Sequence, residues 1–134
     1  MRTAQVTKRF DFHAAHQLPN HAGACKNLHG HSYVFEVTVG GVVRDPDGAS
    51  DEGMVVDFSV LKRIYQESIE PLVEHQFLNE TLRSVVPVTT AENIALWILD
   101  RFLAHLGVLF TVDQVKLWET PTSCVTVTPQ DLGL

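Results

Sequence analysis

Cys25-Lys26-Asn27-Leu28-His29-Gly30-His31 is the stretch from which the rest of this chain can be read. Its two histidines stand one residue apart at the head of a strand-like run from His31 to Val43, in which Tyr33, Phe35, Val37 and Val39 share their parity. Side chains alternate across a strand, so His29 and His31 project to one face and can reach one small ion. Zinc suits them, because imidazole nitrogen is a preferred ligand and is available neutral near physiological pH. A closed structural site would want four protein ligands, commonly paired cysteines, but the chain has only Cys25 and Cys124. Three histidines with an open fourth position fit better, and an open position is what catalysis requires. His13-Ala14-Ala15-His16, just upstream, offers the third histidine. A His-x-His pair also occurs on ordinary strands; the preceding cysteine and the upstream histidines weigh toward metal.

The 134 residues suffice for one domain, 1–134, with a real core. A hydrophobic fraction of 45% with 19% charged residues places the chain among ordinary globular proteins rather than disordered ones. Its net charge of −6 argues against a nucleic-acid partner, which wants a basic face, while leaving room for a small anion in a local basic pocket. The most apolar run, Ile94 to Val112, is interrupted by Asp100, Arg101 and His105, so it reads as a packed helix and not a membrane span. No charged segment followed by an apolar one opens the chain, and two cysteines make a disulfide framework unexpected. The cytoplasm is the expected compartment.

In chain order, Gln5 to His13 reads as a first strand and Ala14 to Gly30, with Pro19, Asn20, Gly23 and Asn27, as a loop. After the second strand, Arg44 to Gly53 is a solvated turn. Asp57 is placed to cap a helix carrying Phe58, Leu61, Ile64, Tyr65 and Ile69 at helical spacing. Pro71 either ends that helix at Glu70 or begins a separate turn presenting Glu74 and His75. Thr89-Thr90-Ala91-Glu92 matches a capping box for a second helix, Ala91 to His105, which Gly107 stops. Val112 to Glu119 and Ser123 to Thr128 read as two closing strands. The order is ββααββ, an α+β arrangement.

Taken together, these motifs resemble the 6-pyruvoyl-tetrahydropterin synthase superfamily. Cys25-x-x-x-His29-Gly30-His31-x-Tyr33 is similar to its signature, with the cysteine spacing of the 6-carboxy-tetrahydropterin synthases of queuosine biosynthesis. Phe12-His13-Ala14-Ala15-His16, Met54-Val55-Val56-Asp57-Phe58, Thr89-Thr90-Ala91-Glu92-Asn93 and Leu117-Trp118-Glu119-Thr120 also match family positions. The resemblance implies a tunnelling fold: a four-stranded antiparallel sheet with two helices on one face, three subunits closing a barrel from their sheets, and two trimers stacking into a homo-hexamer with sites between subunits. It also implies a zinc ion on His16, His29 and His31, with His13 the substitute ligand should His16 fail.

The implied activity converts 7,8-dihydroneopterin triphosphate to 6-carboxy-5,6,7,8-tetrahydropterin, acetaldehyde and triphosphate. The alternatives are formation of 6-pyruvoyl-tetrahydropterin, or a non-catalytic pterin-binding module. By resemblance Cys25 is the catalytic base and His75 with Glu74 its relay, although the family more often has aspartate at the position of Glu74. Glu119 resembles the carboxylate that anchors the pterin through paired hydrogen bonds. Thr89 and Thr90 resemble residues that complete the pterin pocket. Lys8, Lys26 and Arg83 are candidates for the triphosphate, with no motif behind them.

Overall fold

The computed structural model describes residues 1–133; the last residue of the expected 1–134 domain lies outside them. Strands β1 (Thr3–His16) and β2 (His29–Val42) form a long antiparallel hairpin in which Thr3 faces Val42 and His16 faces His29. The sequence reading ended β1 at His13 and began β2 at His31. Pairing instead continues through Ala14 with His31, Ala15 with Gly30 and His16 with His29. Small residues permit this: a Cβ on Gly30 would lie 3.3 Å from the Ala14 oxygen. The extension makes His16 and His29 cross-strand neighbours, which the expected loop would not have done.

Asp57 caps helix α1 (Phe58–Ser68) by accepting the Ser59 N–H at 2.8 Å. Pro71 lies in the first turn of a separate short helix, α2 (Glu70–Val73), where its missing N–H leaves no partner unpaired. The chain continues through β3 (Gln76–Phe77), the single turn α3 (Leu78–Thr81) and α4 (Ala91–His105). The cap of α4 differs from the expected box. Thr90, not Thr89, accepts the Asn93 N–H at 3.3 Å, because Thr89 is fully buried and its carbonyl is engaged elsewhere. Gly107 is likewise not a left-handed stop; α4 closes on an extended Leu106. Strands β4 (Thr111–Thr120) and β5 (Ser123–Val127) complete the chain's sheet.

The sheet order is β3-β1-β2-β4-β5, antiparallel except for β3, which runs parallel to β1. The four expected strands are therefore joined by a fifth, only two residues long and too short for any periodicity to reveal. One face of the sheet, including Phe10, Phe12, Tyr33, Phe35 and Leu117, packs in a single cluster with Leu61 and Tyr65 of α1 and Ile94, Ile98 and Phe102 of α4. Phe10 stacks on Phe35 at 5.1 Å and on Tyr65 at 4.7 Å, and the Tyr65 hydroxyl donates to the Asp11 oxygen at 3.0 Å. The other face is polar: Arg9 pairs with Glu36 at 3.0 Å and lies over the Trp118 ring. The sheet does not close on itself. Among the described residues no helix is long and apolar enough to cross a membrane.

Candidate active site

The end of the β1–β2 hairpin gathers His16, His29 and His31 so that one ring nitrogen of each lies within 4.8 Å of the others. Ring centroids are 4.6 Å apart for His16 and His29, 5.1 Å for His16 and His31, and 4.8 Å for His29 and His31. His16 Nδ1 donates to the Thr89 main-chain oxygen at 2.8 Å, and His29 Nδ1 donates to that of Asn27 at 2.7 Å. Each bond puts the proton on Nδ1 and leaves a lone pair on Nε2. The Nε2 atoms of all three histidines are buried with no hydrogen-bond partner. A buried polar atom left unpaired costs about 1–3 kcal/mol, so three converging orphans would be a large penalty unless they share a cation. The donor set fits a transition metal, and the carbonyls behind it are the outer partners that orient such ligands.

Burial lowers the His16 imidazole from its ordinary 6.5, against the Thr89 carbonyl and the Glu119 charge, which raise it. His31 is lowered in the same way by burial, against Glu119. Both rings are therefore neutral at pH 7, as ligands must be.

Glu119, near the end of β4, brings its two carboxylate oxygens 3.9 Å from His16 Nε2 and 3.8 Å from His31 Nε2. These separations are too long for hydrogen bonds, so the carboxylate borders the space the Nε2 atoms face. Tyr33 lies against His31, with ring centroids 5.4 Å apart, and its buried hydroxyl is also unpartnered. Burial and then the Glu119 charge push that phenol well above its ordinary range. Thr89 stands behind His16, away from the metal side. Asn79 supports both: it accepts the Gln17 N–H at 2.9 Å, donates to the Gln17 oxygen at 2.8 Å, and lies 3.4 Å from the Thr89 hydroxyl. Sequence reasoning gives Tyr33 no role beyond its place in the signature and passes over Asn79. Tyr33 shares the parity of the histidine pair, but Asn79 follows a two-residue strand and carries no pattern.

The remaining candidates lie apart. Cys25 sits half-buried in a short turn, Ala24–Lys26, outside the histidine group. Glu74 and His75 form a second group with His13, which lies on β1 three residues before its end. A cleft of about 510 Å³ joins the two regions, lined by His31, Gly30 and Ser32 on one side and by His13, His75 and Phe77 on the other. Thr89, Thr90, Glu119 and Cys25 do not line it, nor do Lys8, Lys26 or Arg83.

Residues 5–130 match the family described as 6-pyruvoyl tetrahydropterin synthase. The chain belongs to this family. It is 42% identical to the 6-carboxy-5,6,7,8-tetrahydropterin synthase of Synechocystis sp., over 88% of each chain. The enzyme of the same name from Haemophilus influenzae is 35% identical, over 89% of this chain and 94% of that one. Among solved structures, the Caenorhabditis elegans 6-pyruvoyl tetrahydropterin synthase superposes with a TM-score of 0.80 at 26% identity, covering 96% of both chains. The fold is thus the family's tunnelling fold, and the chain is an enzyme of the tetrahydropterin synthase type.

Proposed function

We propose that this protein is a zinc-dependent lyase that converts 7,8-dihydroneopterin triphosphate to 6-carboxy-5,6,7,8-tetrahydropterin, releasing acetaldehyde and triphosphate, in the cytoplasm and in queuosine biosynthesis. The observation that carries the reading is the grouping of three buried, unpartnered Nε2 atoms from His16, His29 and His31. Two relatives that bear the 6-carboxy name at 42% and 35% identity favour this side-chain fate over the pyruvoyl one.

His16, His29 and His31 hold the ion. Zinc bound there would polarise hydroxyl or carbonyl oxygens of the substrate side chain and make adjacent C–H bonds more acidic. Glu119 accepts hydrogen bonds from the amine-plus-ring-N–H edge of the pterin. Thr90, at the start of α4, shapes the pocket beside it, and Thr89 supports it from behind His16. Cys25 takes the proton on Sγ, and His75, oriented by Glu74, exchanges it. Glu74 can serve despite its extra methylene, since its Oε1 lies 3.4 Å from His75 Nε2.

Cys25 and His75 belong to separate parts of one chain, which is consistent with sites completed between subunits of a hexamer. Two further features support assembly. The outer edge of β5 is unpaired, and β3 covers only the Ala14–Ala15 end of β1, leaving open edges that ring closure would remove. Leu28, Phe58, Val85 and Val88 are also exposed, each by half or more. The test is incubation of the zinc-loaded protein with dihydroneopterin triphosphate and identification of the pterin. Acetaldehyde with the 6-carboxy product supports the reading; a 6-pyruvoyl product selects the alternative; binding without turnover leaves a pterin-binding module. Sedimentation as a monomer at micromolar concentration would contradict the assembly.

A further inference from the structure

We propose that His13, Glu74 and His75 form a second site for a divalent transition metal, separate from the three-histidine centre. One ligand atom from each lies within 4.8 Å of the other two. Glu74 Oε1 is 3.4 Å from His13 Nδ1 and 3.4 Å from His75 Nε2. Zinc–ligand bonds of 2.0–2.1 Å at the tetrahedral angle put neighbouring donor atoms about 3.3 Å apart, so both histidine–carboxylate edges are already near that spacing. Two imidazoles and a carboxylate are a donor set that binds zinc with a position left open.

The backbone is arranged for this grouping. His75 is the single non-glycine among the described residues with positive φ, at 57°. That conformation is disfavoured for a residue with a Cβ, and here it accompanies a His75 ring whose Nε2 lies 3.4 Å from the carboxylate of its neighbour Glu74. His13 holds the turn from both sides: its oxygen accepts the His75 N–H at 2.7 Å and its own N–H donates to Glu74 Oε1 at 3.0 Å. Burial works against ionisation of Glu74, but those bonds and the adjacent imidazoles keep its carboxyl below the usual range. Side-chain exposures of 53% for His13 and 79% for His75 leave the group open to an incoming ion. Among the described residues no carbonyl fixes a ring nitrogen here as Thr89 and Asn27 do at the first centre. Loss of such outer partners weakens metal sites about 10–100-fold, and the second ion should be weaker by that factor.

The experiment is equilibrium dialysis of the full chain against zinc, with the ion counted per chain by elemental analysis. The wild type should take up two ions in separate phases, and His13→Ala and His13→Gln only the tighter one. His29→Ala should show the converse, keeping the weaker ion. Saturation of the wild type at one ion, or two ions retained by both His13 variants, would overturn the proposal. Occupancy would withdraw Glu74 and His75 from proton transfer, so zinc in excess should inhibit the wild type and spare His13→Gln. This consequence rests on the proposed relay, whereas the ion count does not, so the two can fail separately.

Discussion

His16 Nδ1 donates to the main-chain oxygen of Thr89 at 2.8 Å, tying the end of β1 to the residue just before the cap of α4. A metal ligand is thereby oriented by a backbone group seventy-three positions away. Asn79 fixes both partners, through two bonds to Gln17 and a contact with Thr89. Asn79→Ala should cost about 1–3 kcal/mol, since it strips partners from a half-buried main chain. It should also weaken zinc binding about 10–100-fold, as loss of an outer-shell support does. Denaturant unfolding and competition with a chelator measure the two effects, and unchanged zinc affinity would remove Asn79 from the site.

Alanine at His16, His29 or His31 should weaken zinc retention by more than about 100-fold, exceeding the effect of an outer partner. Elemental analysis after dialysis against chelator checks this. Full occupancy of the tight site in all three variants would dismiss the assignment.

The hairpin, both long helices and the His29–His31 pair are legible because each rests on a periodic or capping signal, whereas His16 is singled out over His13 by the family resemblance. His29, His31, Tyr33 and Phe35 share a parity, and Asp57 stands one residue before an amphipathic helix. What escaped depends on contacts between distant segments. β3 and the Asn79 clamp have no periodicity, and the left-handed turn at His75 occurs in a residue whose type does not advertise it. Thr89 was misread as a cap because two adjacent threonines satisfy the same local pattern, and only burial against His16 separates them.

The metal-free protein should lose stability in acid. His16 and His31 have folded-state values below 6.5, so below that pH the unfolded chain binds more protons. Their contribution is complete above about pH 6.5 and falls as pH drops through the folded values. The slope is at most about 1.4 kcal/mol per pH unit for each ring. Urea midpoints of the metal-free chain between pH 8 and pH 5 test the sign; a flat profile would show that neither ring is held neutral.

Cys25 separates an enzyme from a binding module. Its thiol lies outside the histidine group, so Cys25→Ala should leave zinc affinity intact. Turnover should fall about 10²–10⁴-fold, the usual contribution of a positioned proton-transfer group. A drop in zinc affinity would instead make the thiol a ligand, and normal turnover would leave it a packing residue.

Glu119 admits the sharpest test, because its carboxylate stands close to two of the histidines while its role is argued from the substrate. Glu119→Gln keeps the size and removes the charge, and it replaces one acceptor oxygen by a donor. If the carboxylate anchors the pterin, the variant should bind a non-reacting pterin about 10-fold or more weakly, the loss of a charge-assisted pair worth about 1.5–3 kcal/mol. Zinc affinity should then hardly change, since Glu119 lies outside the group of nitrogens that converge. If instead the carboxylate neutralises the ion, zinc affinity should fall and pterin affinity should follow it in step. Measuring both dissociation constants on one preparation distinguishes the cases, and a variant with neither changed would leave Glu119 as a bystander at the rim.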